Sequence, residues 1–190
     1  MNAPLVLASS SPRRRDLLAR LGVVPVRAVS PDIDEQPLRA EIPRAYALRL
    51  AEAKARAVAR EAGEAVLAGD TTIALGRRIL PPADSADIQR ELLRRLSGRR
   101  HRCLSAVAVI APDGRLRTKL ADTIVAFKPL SAVEIDDYVA CGEGLGKAGG
   151  YAIQGRAEAF VRFLNGSHSG VVGLPLFETR ALLAWAGVLG

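Results

Sequence analysis

Aromatic residues, cysteines and histidines are scarce in this 190-residue sequence, and each scarcity excludes a kind of site. Aromatic side chains make up only 4% of the residues and none lie among the basic clusters, which argues against a stacking platform for single-stranded nucleic acid. Cys103 and Cys141 lack metal-type spacing and are expected to be reduced thiols. His101 and His168 belong to no pattern typical of a catalytic triad.

Long hydrophobic runs are missing as well. No apolar run approaches the roughly 18 residues that a membrane-spanning helix needs. The first residues also lack the basic and apolar segments of a signal peptide. We therefore expect a cytoplasmic protein without a membrane partner. A content of 49% hydrophobic residues is enough for the core of one ordinary domain or of two small lobes.

Positive charge is present in excess. The formal net charge of +7 favours an anionic partner, either a nucleic acid or the phosphates of a nucleotide. Only four of the 27 basic residues are lysines. A genome biased toward arginine codons would give the same composition, so many of the arginines need no function.

Apolar strands alternate with amphipathic helices along the chain, which predicts an α/β fold with a mixed sheet. Ile88, Leu92, Leu93 and Leu96 are expected to face the core, and Ser131 with Glu134 is typical of a capping box. Strands are predicted at 4–8, 23–29, 65–75, 79–80, as a hairpin within 101–127, and at 159–164 and 170–173. Helices are predicted at 12–21, 43–62, 84–97, 131–140 and 175–186.

The stretch SSSPRRR, residues 9–15, lies between the first predicted strand and helix. Free backbone N–H groups at a helix N-terminus favour an anion, and serine hydroxyls and arginine guanidinium groups add donors. An ordinary cap by Ser11 with a solvated arginine face explains the stretch equally well. The glycines and the Gly-Lys-Ser/Thr ending of a Walker A loop are absent.

Carboxylates form a second group of candidates. Asp70 follows Gly69 inside the predicted strand 65–75, where a buried carboxylate needs a metal, a cation or a role as a base. It could equally cap a turn at a strand end. Asp34 and Glu35 lie in a polar loop, where they could share a metal with Asp70 or simply be solvated.

Lys54, Lys147 and Gln154 are the remaining candidates. Lys54 lies within a predicted helix, where a lysine is normally exposed. Lys147 and Gln154 belong to a segment rich in glycine, residues 142–155, whose backbone could approach a ligand closely. Gln154 carries both a donor and an acceptor, as the recognition of a base edge requires. A plain flexible loop is the alternative, although Tyr151 and Ile153 favour packing.

Six motifs occur in the order and spacing of the Maf-like nucleotide pyrophosphatases, and the chain resembles this family over nearly its whole length. The motifs are LASSSPRR (7–14), DE (34–35), RLAEAKA (49–55), AGDTT (68–72), KAGGYAIQG (147–155) and VVGLPLFET (171–179). The resemblance implies an elongated mixed β-sheet flanked by helices, like that of the inosine triphosphate pyrophosphatases. It implies a single domain over residues 1–190, with two lobes around a central cleft, and a homodimer is common in the family.

The resemblance also implies an activity and its residues. Family members hydrolyse nucleoside triphosphates between the α and β phosphates and require a divalent cation, Mg²⁺ or Mn²⁺. Asp70 would be the general base or a metal ligand, and Glu35 would help to hold the metal. Ser9, Arg13, Arg14 and Lys54 would bind the triphosphate. Arg13, Thr71 and Gln154 are similar to the branch that acts on dTTP and UTP, where the branch acting on 7-methyl-GTP has Trp, Gln and Glu.

One position departs from the family pattern. Pro82 stands where the family usually has a lysine after the ILxK-like strand, and Arg77 and Arg78 are the candidates to compensate for it. The sequence therefore predicts a pyrophosphatase for dTTP and UTP with reduced turnover or an altered phosphate contact. The alternative is a basic nucleic-acid-binding protein with a degenerate nucleotide pocket, which the net charge and Pro82 keep open.

Overall fold

The computed structural model of the protein describes residues 2–190, in which seven strands form one mixed sheet and six α-helices pack around it. The strands are β1 (Leu5–Ala8), β2 (Arg27–Ala28), β3 (Ala65–Leu75), β4 (Arg78–Leu80), β5 (Arg100–Ile110), β6 (Leu116–Phe127) and β7 (Val161–Asn165). The helices are α1 (Pro12–Ala19), α2 (Pro43–Arg56), α3 (Ala86–Leu96), α4 (Ala132–Ala140), α5 (His168–Val172) and α6 (Leu176–Trp185). A 3-10 helix, Arg156–Phe160, precedes β7.

The sheet has the strand order β2-β1-β3-β5-β6-β7, and β4 pairs with the far end of β3. β1 lies parallel to both β2 and β3, whereas the other strand pairs are antiparallel. The three long strands β3, β5 and β6 form the centre of the sheet. In this register Asp70 lies opposite Ala106 of β5, in the middle of the sheet rather than at a strand end.

Three apolar clusters make up the core, and β3 contributes to each of them. Ile73 belongs to a cluster beneath α3 and α4, and Leu67 to a cluster beneath α1 and α6. Val66 and Ala68 pack beneath the alanine-rich face of α2. Among residues 2–190 no helix has the length and apolar character needed to cross a membrane.

Several predicted elements are confirmed. β1, β3 and the β5–β6 hairpin lie where their apolar residues predict them. The capping box of α4 is complete, because the Ser131 hydroxyl accepts from the Glu134 N–H and the Glu134 carboxylate accepts from the Ser131 N–H. Hydrogen bonds from Lys128 and Ser131 lower the pKa of Glu134 to about 2. The division into two lobes stays a prediction.

Other predicted elements are wrong. Within 23–29 only Arg27 and Ala28 pair as a strand, because Val24 and Val26 face solvent. α2 ends at Arg56 rather than near residue 62. Ile88 is 39% exposed and does not face the core.

The predicted strand at 170–173 is also wrong, since these residues belong to α5 and its C-terminal end. Ser167 caps this helix by accepting a hydrogen bond from the Gly170 N–H at 3.0 Å. Ser167-His168-Ser169 therefore forms the start of this helix. A short apolar run does not distinguish a strand from a buried helical turn, and the serine cap decided in favour of the helix.

Candidate active site

A cleft of about 180 Å³ opens above the middle of β3. One side, which we call the charged wall, consists of Ser9, Arg13, Arg14, Glu35, Lys54 and Asp70. The other side, the glycine-rich wall, consists of residues 146–154. Every site residue predicted from the sequence lines this cleft except Ser9, which lies directly behind it: Arg13, Arg14, Glu35, Lys54, Asp70, Thr71 and Gln154.

Asp70 and Lys54 form a buried ion pair at the centre of the charged wall. Lys54 Nζ donates to Asp70 Oδ1 at 2.9 Å and to Glu35 Oε2 at 2.9 Å, so one ammonium group joins the two carboxylates. Thr72 donates to the other Asp70 oxygen at 2.7 Å. Asp70 and Lys54 are 6% and 7% exposed, whereas half of the Glu35 side chain faces solvent. Lys54 is thus not an ordinary exposed helical lysine, and Asp70 does not cap a turn.

Arg14 lies beside this ion pair and is held from two sides. Its Nε donates to the Gly173 carbonyl at 2.9 Å and its Nη1 donates to Ser9 Oγ at 3.0 Å. Burial lowers the pKa of Arg14, and the charge of Asp70 opposes this shift. A Cβ at Gly69 would lie 3.4 Å from the Arg14 Nε, so the guanidinium lies directly against this part of the strand. The arginine is thereby fixed next to Asp70 before any ligand binds.

The start of α1 differs from the predicted cap. Ser11 occupies the N-cap position, but its side chain makes no capping hydrogen bond. Instead the Ser9 hydroxyl accepts from the Ser11 N–H at 3.2 Å, because the chain turns tightly between β1 and α1. The first N–H groups of α1 therefore have no side-chain cap, as an anion site requires. Arg15 is exposed, as expected.

Arg13 and Thr71 both contact backbone carbonyls at the end of α5. Arg13 Nε donates to the Val172 carbonyl at 3.3 Å, and the Thr71 hydroxyl is 3.5 Å from the Gly173 carbonyl. Burial lowers the pKa of Arg13. Residues 172 and 173 are thus part of the site. The prediction of a strand at 170–173 did not indicate this. The motif VVGLPLFET was the only sequence signal for this segment.

Helix α2 also orients the loop that carries Glu35. The Tyr46 hydroxyl donates to the Glu35 carbonyl at 2.8 Å, and Arg49 donates to the Gln36 carbonyl at 3.1 Å. Arg49 is itself fixed by an ion pair with Glu41. Burial, together with the charges of Asp70 and Glu35, raises the pKa of Tyr46 to about 12. Tyr46 and Arg49 thus hold the Glu35 loop against α2, a contact that the sequence did not predict.

The glycine-rich wall is packed rather than flexible. Gly149 has a φ of +70°, and a Cβ there would lie within 2.9 Å of the Ile73 side chain. Lys147 lines the cleft and donates to the Glu143 carbonyl, and burial lowers its pKa. The side chain of Gln154 is exposed at the mouth of the cleft. This wall presents an amide and backbone groups to a ligand, with Lys147 as its one charge.

Pro82 lines the cleft, where it adds no hydrogen-bond donor. It pairs with Ala148 in an isolated bridge and so links the end of β4 to the glycine-rich wall. The suggestion that Arg77 or Arg78 replaces the missing lysine is wrong, because neither residue lines the cleft. Both belong to the turn into β4, beyond Ile73, and they border separate surface grooves.

A metal ion would find few protein ligands in this site. Among residues 2–190, histidine, cysteine and acidic side chains do not gather in threes around one point. The charged wall offers the two carboxylates of Asp70 and Glu35. Mg²⁺ commonly binds through one or two carboxylates and completes its shell with water and substrate phosphates. The donor set therefore fits a magnesium ion that arrives with a triphosphate.

Comparison with known proteins places this geometry in a family. The Maf-like protein family matches residues 4–186. A dTTP/UTP pyrophosphatase of Sphingopyxis alaskensis is 67% identical over 97% of each chain, and one of Novosphingobium aromaticivorans is 61% identical over 98% of this chain and 94% of its own. The Ham1 protein of Staphylococcus aureus superposes with a TM-score of 0.50 at 14% identity, over 96% of this chain and 97% of that one. The structural similarity confirms the predicted fold class, a mixed sheet flanked by helices, and the match over 4–186 shows that the chain belongs to the Maf-like protein family.

Proposed function

We propose that the protein hydrolyses dTTP and UTP to the nucleoside monophosphate and pyrophosphate. One observation carries the proposal: a buried carboxylate, Asp70, is joined to a second carboxylate by Lys54 and stands beside Arg14 in the same cleft. The names of the two bacterial relatives support the choice of substrates.

The charged wall suits the triphosphate. Arg14 is half-buried and held by Ser9 and Gly173, so that little side-chain entropy is lost when it contacts a phosphate. Arg13 and the uncapped start of α1 add further donors at the same end of the cleft. Positive groups in a partly enclosed cleft stabilise charge that develops on the leaving pyrophosphate.

Asp70 suits the activation of water. Lys54 and Thr72 each donate to one of its oxygens, which fixes the orientation of the carboxylate. Asp70 takes a proton from a water molecule, whose oxygen forms the new bond to phosphorus. The bridging bond between the α and β phosphates breaks, and its electron pair leaves with the pyrophosphate.

The glycine-rich wall suits a uracil or thymine base. These bases present carbonyl acceptors on both sides of one N–H donor. The neutral amide of Gln154 offers a donor and an acceptor at the mouth of the cleft, where a carboxylate would offer acceptors alone. Thr71, together with Arg13 of the charged wall, contributes to selection of the base.

A divalent metal is part of the proposal, with Glu35 and Asp70 as the protein groups that would hold it. When bound with the substrate, Mg²⁺ or Mn²⁺ would neutralise phosphate charge and polarise the phosphoryl oxygens. Lys54 already lies between the two carboxylates and keeps them close together without the metal.

Release of pyrophosphate from each nucleoside triphosphate tests the proposal. We expect release from dTTP and UTP in the presence of Mg²⁺ or Mn²⁺, and a loss of roughly 100- to 10,000-fold in kcat for Asp70→Asn. Asp113→Asn, in the exposed β5–β6 turn, is the matched control and should retain full activity. Absence of release from every nucleotide, together with salt-sensitive binding of DNA or RNA, would support the nucleic-acid-binding alternative instead.

A further inference from the structure

Three consecutive residues of the glycine-rich wall are each held by a side chain from a different part of the fold. Gln89 of α3 contacts Gly150, His101 of β5 contacts Tyr151, and Tyr138 of α4 contacts Ala152. Tyr151 and Ala152 line the cleft, but Gln89, His101 and Tyr138 do not. We call these last three residues the rear contacts.

Gln89 is a glutamine with no exposed surface in the middle of a helix. Its Nε2 donates to the Gly150 carbonyl at 3.1 Å, and that carbonyl has only this side chain as a donor among the described residues. A Cβ at Gly144 would lie 2.1 Å from the Gly150 oxygen and 2.2 Å from Gln89 Nε2. The glycine at 144 thus makes room for this one hydrogen bond.

His101 is 2% exposed and makes one hydrogen bond, between its Nε2 and the Tyr151 hydroxyl at 2.8 Å. Its Nδ1 is buried without a partner among the described residues. The His101 ring packs edge-on against Phe127 and Tyr151, with centroid distances of 5.1 and 5.5 Å. A phenylalanine would fill this space, so the hydrogen bond to Tyr151 is what distinguishes histidine here.

Tyr138 completes the set. Its hydroxyl accepts a hydrogen bond from the Ala152 N–H at 2.9 Å, in a buried environment. Its ring packs against Phe160, at the end of the 3-10 helix that follows Gln154 in the chain. Tyr138 therefore contacts the chain on both sides of Gln154, through the Ala152 backbone before it and the Phe160 ring after it.

We propose that Gln89, His101 and Tyr138 are positioning residues for base selection, which act by fixing the backbone from Gly150 to Gln154. The proposal rests on the proposed function and extends it to residues outside the cleft. Glycines at 146, 149, 150 and 155 give this segment little stiffness of its own, so its shape depends on contacts from behind. Displacement of Gln154 would weaken its fit to the base.

The rear contacts have no connection to the group that activates water. Asp70 is fixed by Lys54 and Thr72, which belong to α2 and β3. Loss of a rear contact should therefore raise KM and lower selectivity between bases while kcat changes little. A loss of fold alone would instead lower the amount of active protein and leave KM and the base preference unchanged.

The experiment compares Gln89→Leu, His101→Phe and Tyr138→Phe with Val139→Ala. Val139 lies beside Tyr138 in the same apolar cluster and makes no side-chain hydrogen bond, so its variant controls for lost packing. We expect each rear-contact variant to raise KM for dTTP by about 3- to 10-fold, the effect of one lost hydrogen bond. The ratio of kcat/KM for dTTP over dCTP should fall by a similar factor, with kcat within about 2-fold.

A double variant separates positioning from packing. Tyr151→Phe removes the hydroxyl that His101 contacts, so the addition of His101→Phe in that background should raise KM no further. Amide hydrogen exchange at residues 150–156 should be faster in all three rear-contact variants than in Val139→Ala. Unchanged KM, base preference and exchange in these variants relative to Val139→Ala would overturn the proposal.

Amide hydrogen exchange also distinguishes a failure of the proposed function from a failure of the proposal on the rear contacts. If the wild-type protein releases pyrophosphate from no nucleotide, the proposed function has failed, and calorimetric binding of dTMP and UMP replaces KM as the measure of base recognition. Faster exchange with weaker monophosphate binding then still supports the rear contacts. Unchanged exchange and binding would overturn them.

Discussion

The two walls of the cleft are held in place by different sets of contacts. In the charged wall the functional groups hold one another, since Lys54 joins Asp70 to Glu35 and Arg14 is bound to Ser9. In the glycine-rich wall the functional group, Gln154, makes no such contact, and the backbone before it is held from behind. A change within the charged wall should therefore affect folding and chemistry together, whereas a change behind the glycine-rich wall should affect recognition.

Removal of the central cation should give the largest loss of stability. Lys54→Met leaves the buried Asp70 carboxylate without a cation, and breakage of a buried ion pair costs about 3–5 kcal/mol. Urea unfolding measures the change in the free energy of unfolding. Lys119→Met removes an exposed lysine and should change stability by less than about 0.5 kcal/mol. Equal effects of the two substitutions would show that the charged wall does not depend on mutual support.

Acid should weaken the support of the glycine-rich wall. Burial lowers the pKa of His101 from 6.5 to about 4. Between these values the unfolded chain binds a proton that the native state does not, so stability falls as the pH falls from about 6.5 to 4. The shift corresponds to about 3 kcal/mol.

Urea unfolding of wild type and His101→Phe at several pH values isolates this contribution from other titrating groups. The stability of the wild type should decrease more steeply than that of the variant as the pH falls. Parallel curves would mean that His101 is protonated in the native state, and that it does not support the wall as a neutral side chain.

Replacement of the recognition group should have a smaller effect, confined to one kinetic parameter. Gln154→Glu removes the amide donor at the mouth of the cleft, and we expect kcat/KM for dTTP to fall by about 10-fold through KM. Gln36→Glu makes the same change of charge outside the cleft lining and is the control. Steady-state kinetics decide the result, and an equal fall in kcat would place Gln154 in the chemical step instead.

Addition of a charge at Pro82 should give the smallest effect. Pro82→Lys introduces an ammonium group at the edge of the cleft, and we expect KM for dTTP to fall by about 3-fold. Pro81→Lys adds the same charge one residue earlier, outside the cleft lining. If kcat and KM are unchanged in Pro82→Lys, the lysine typical of the family has no role in this chain.

The sequence predicted the elements whose signals are local. The run of apolar residues in β3, the Pro-Asp-Gly turn of the β5–β6 hairpin and the capping box of α4 each determine their own structure. Residues 23–29 and 170–173 have apolar side chains but adopt other structures, since exposure and a serine cap outweigh their strand propensity. Tertiary contacts decide such short segments.

The sequence likewise predicted some features of the site and not others. The motifs predicted which residues line the cleft, because each motif lies where a strand, helix or loop reaches it. They did not predict that Lys54 would be buried between two carboxylates, nor that Arg13 and Thr71 would share an anchor at Val172 and Gly173. The sequence could not predict the rear contacts, because a single glutamine, histidine or tyrosine in an amphipathic element belongs to no motif with a recognisable spacing.

The long strand β3 couples the three apolar clusters to one another. Its residues enter all three apolar clusters, and Asp70 is the sixth of its 11 residues. A local opening of any one cluster removes packing from the strand that carries Asp70. We therefore expect the Asp70 carboxylate to leave the cleft and the fold to be lost in one cooperative step, without a folded but inactive species as the protein is warmed.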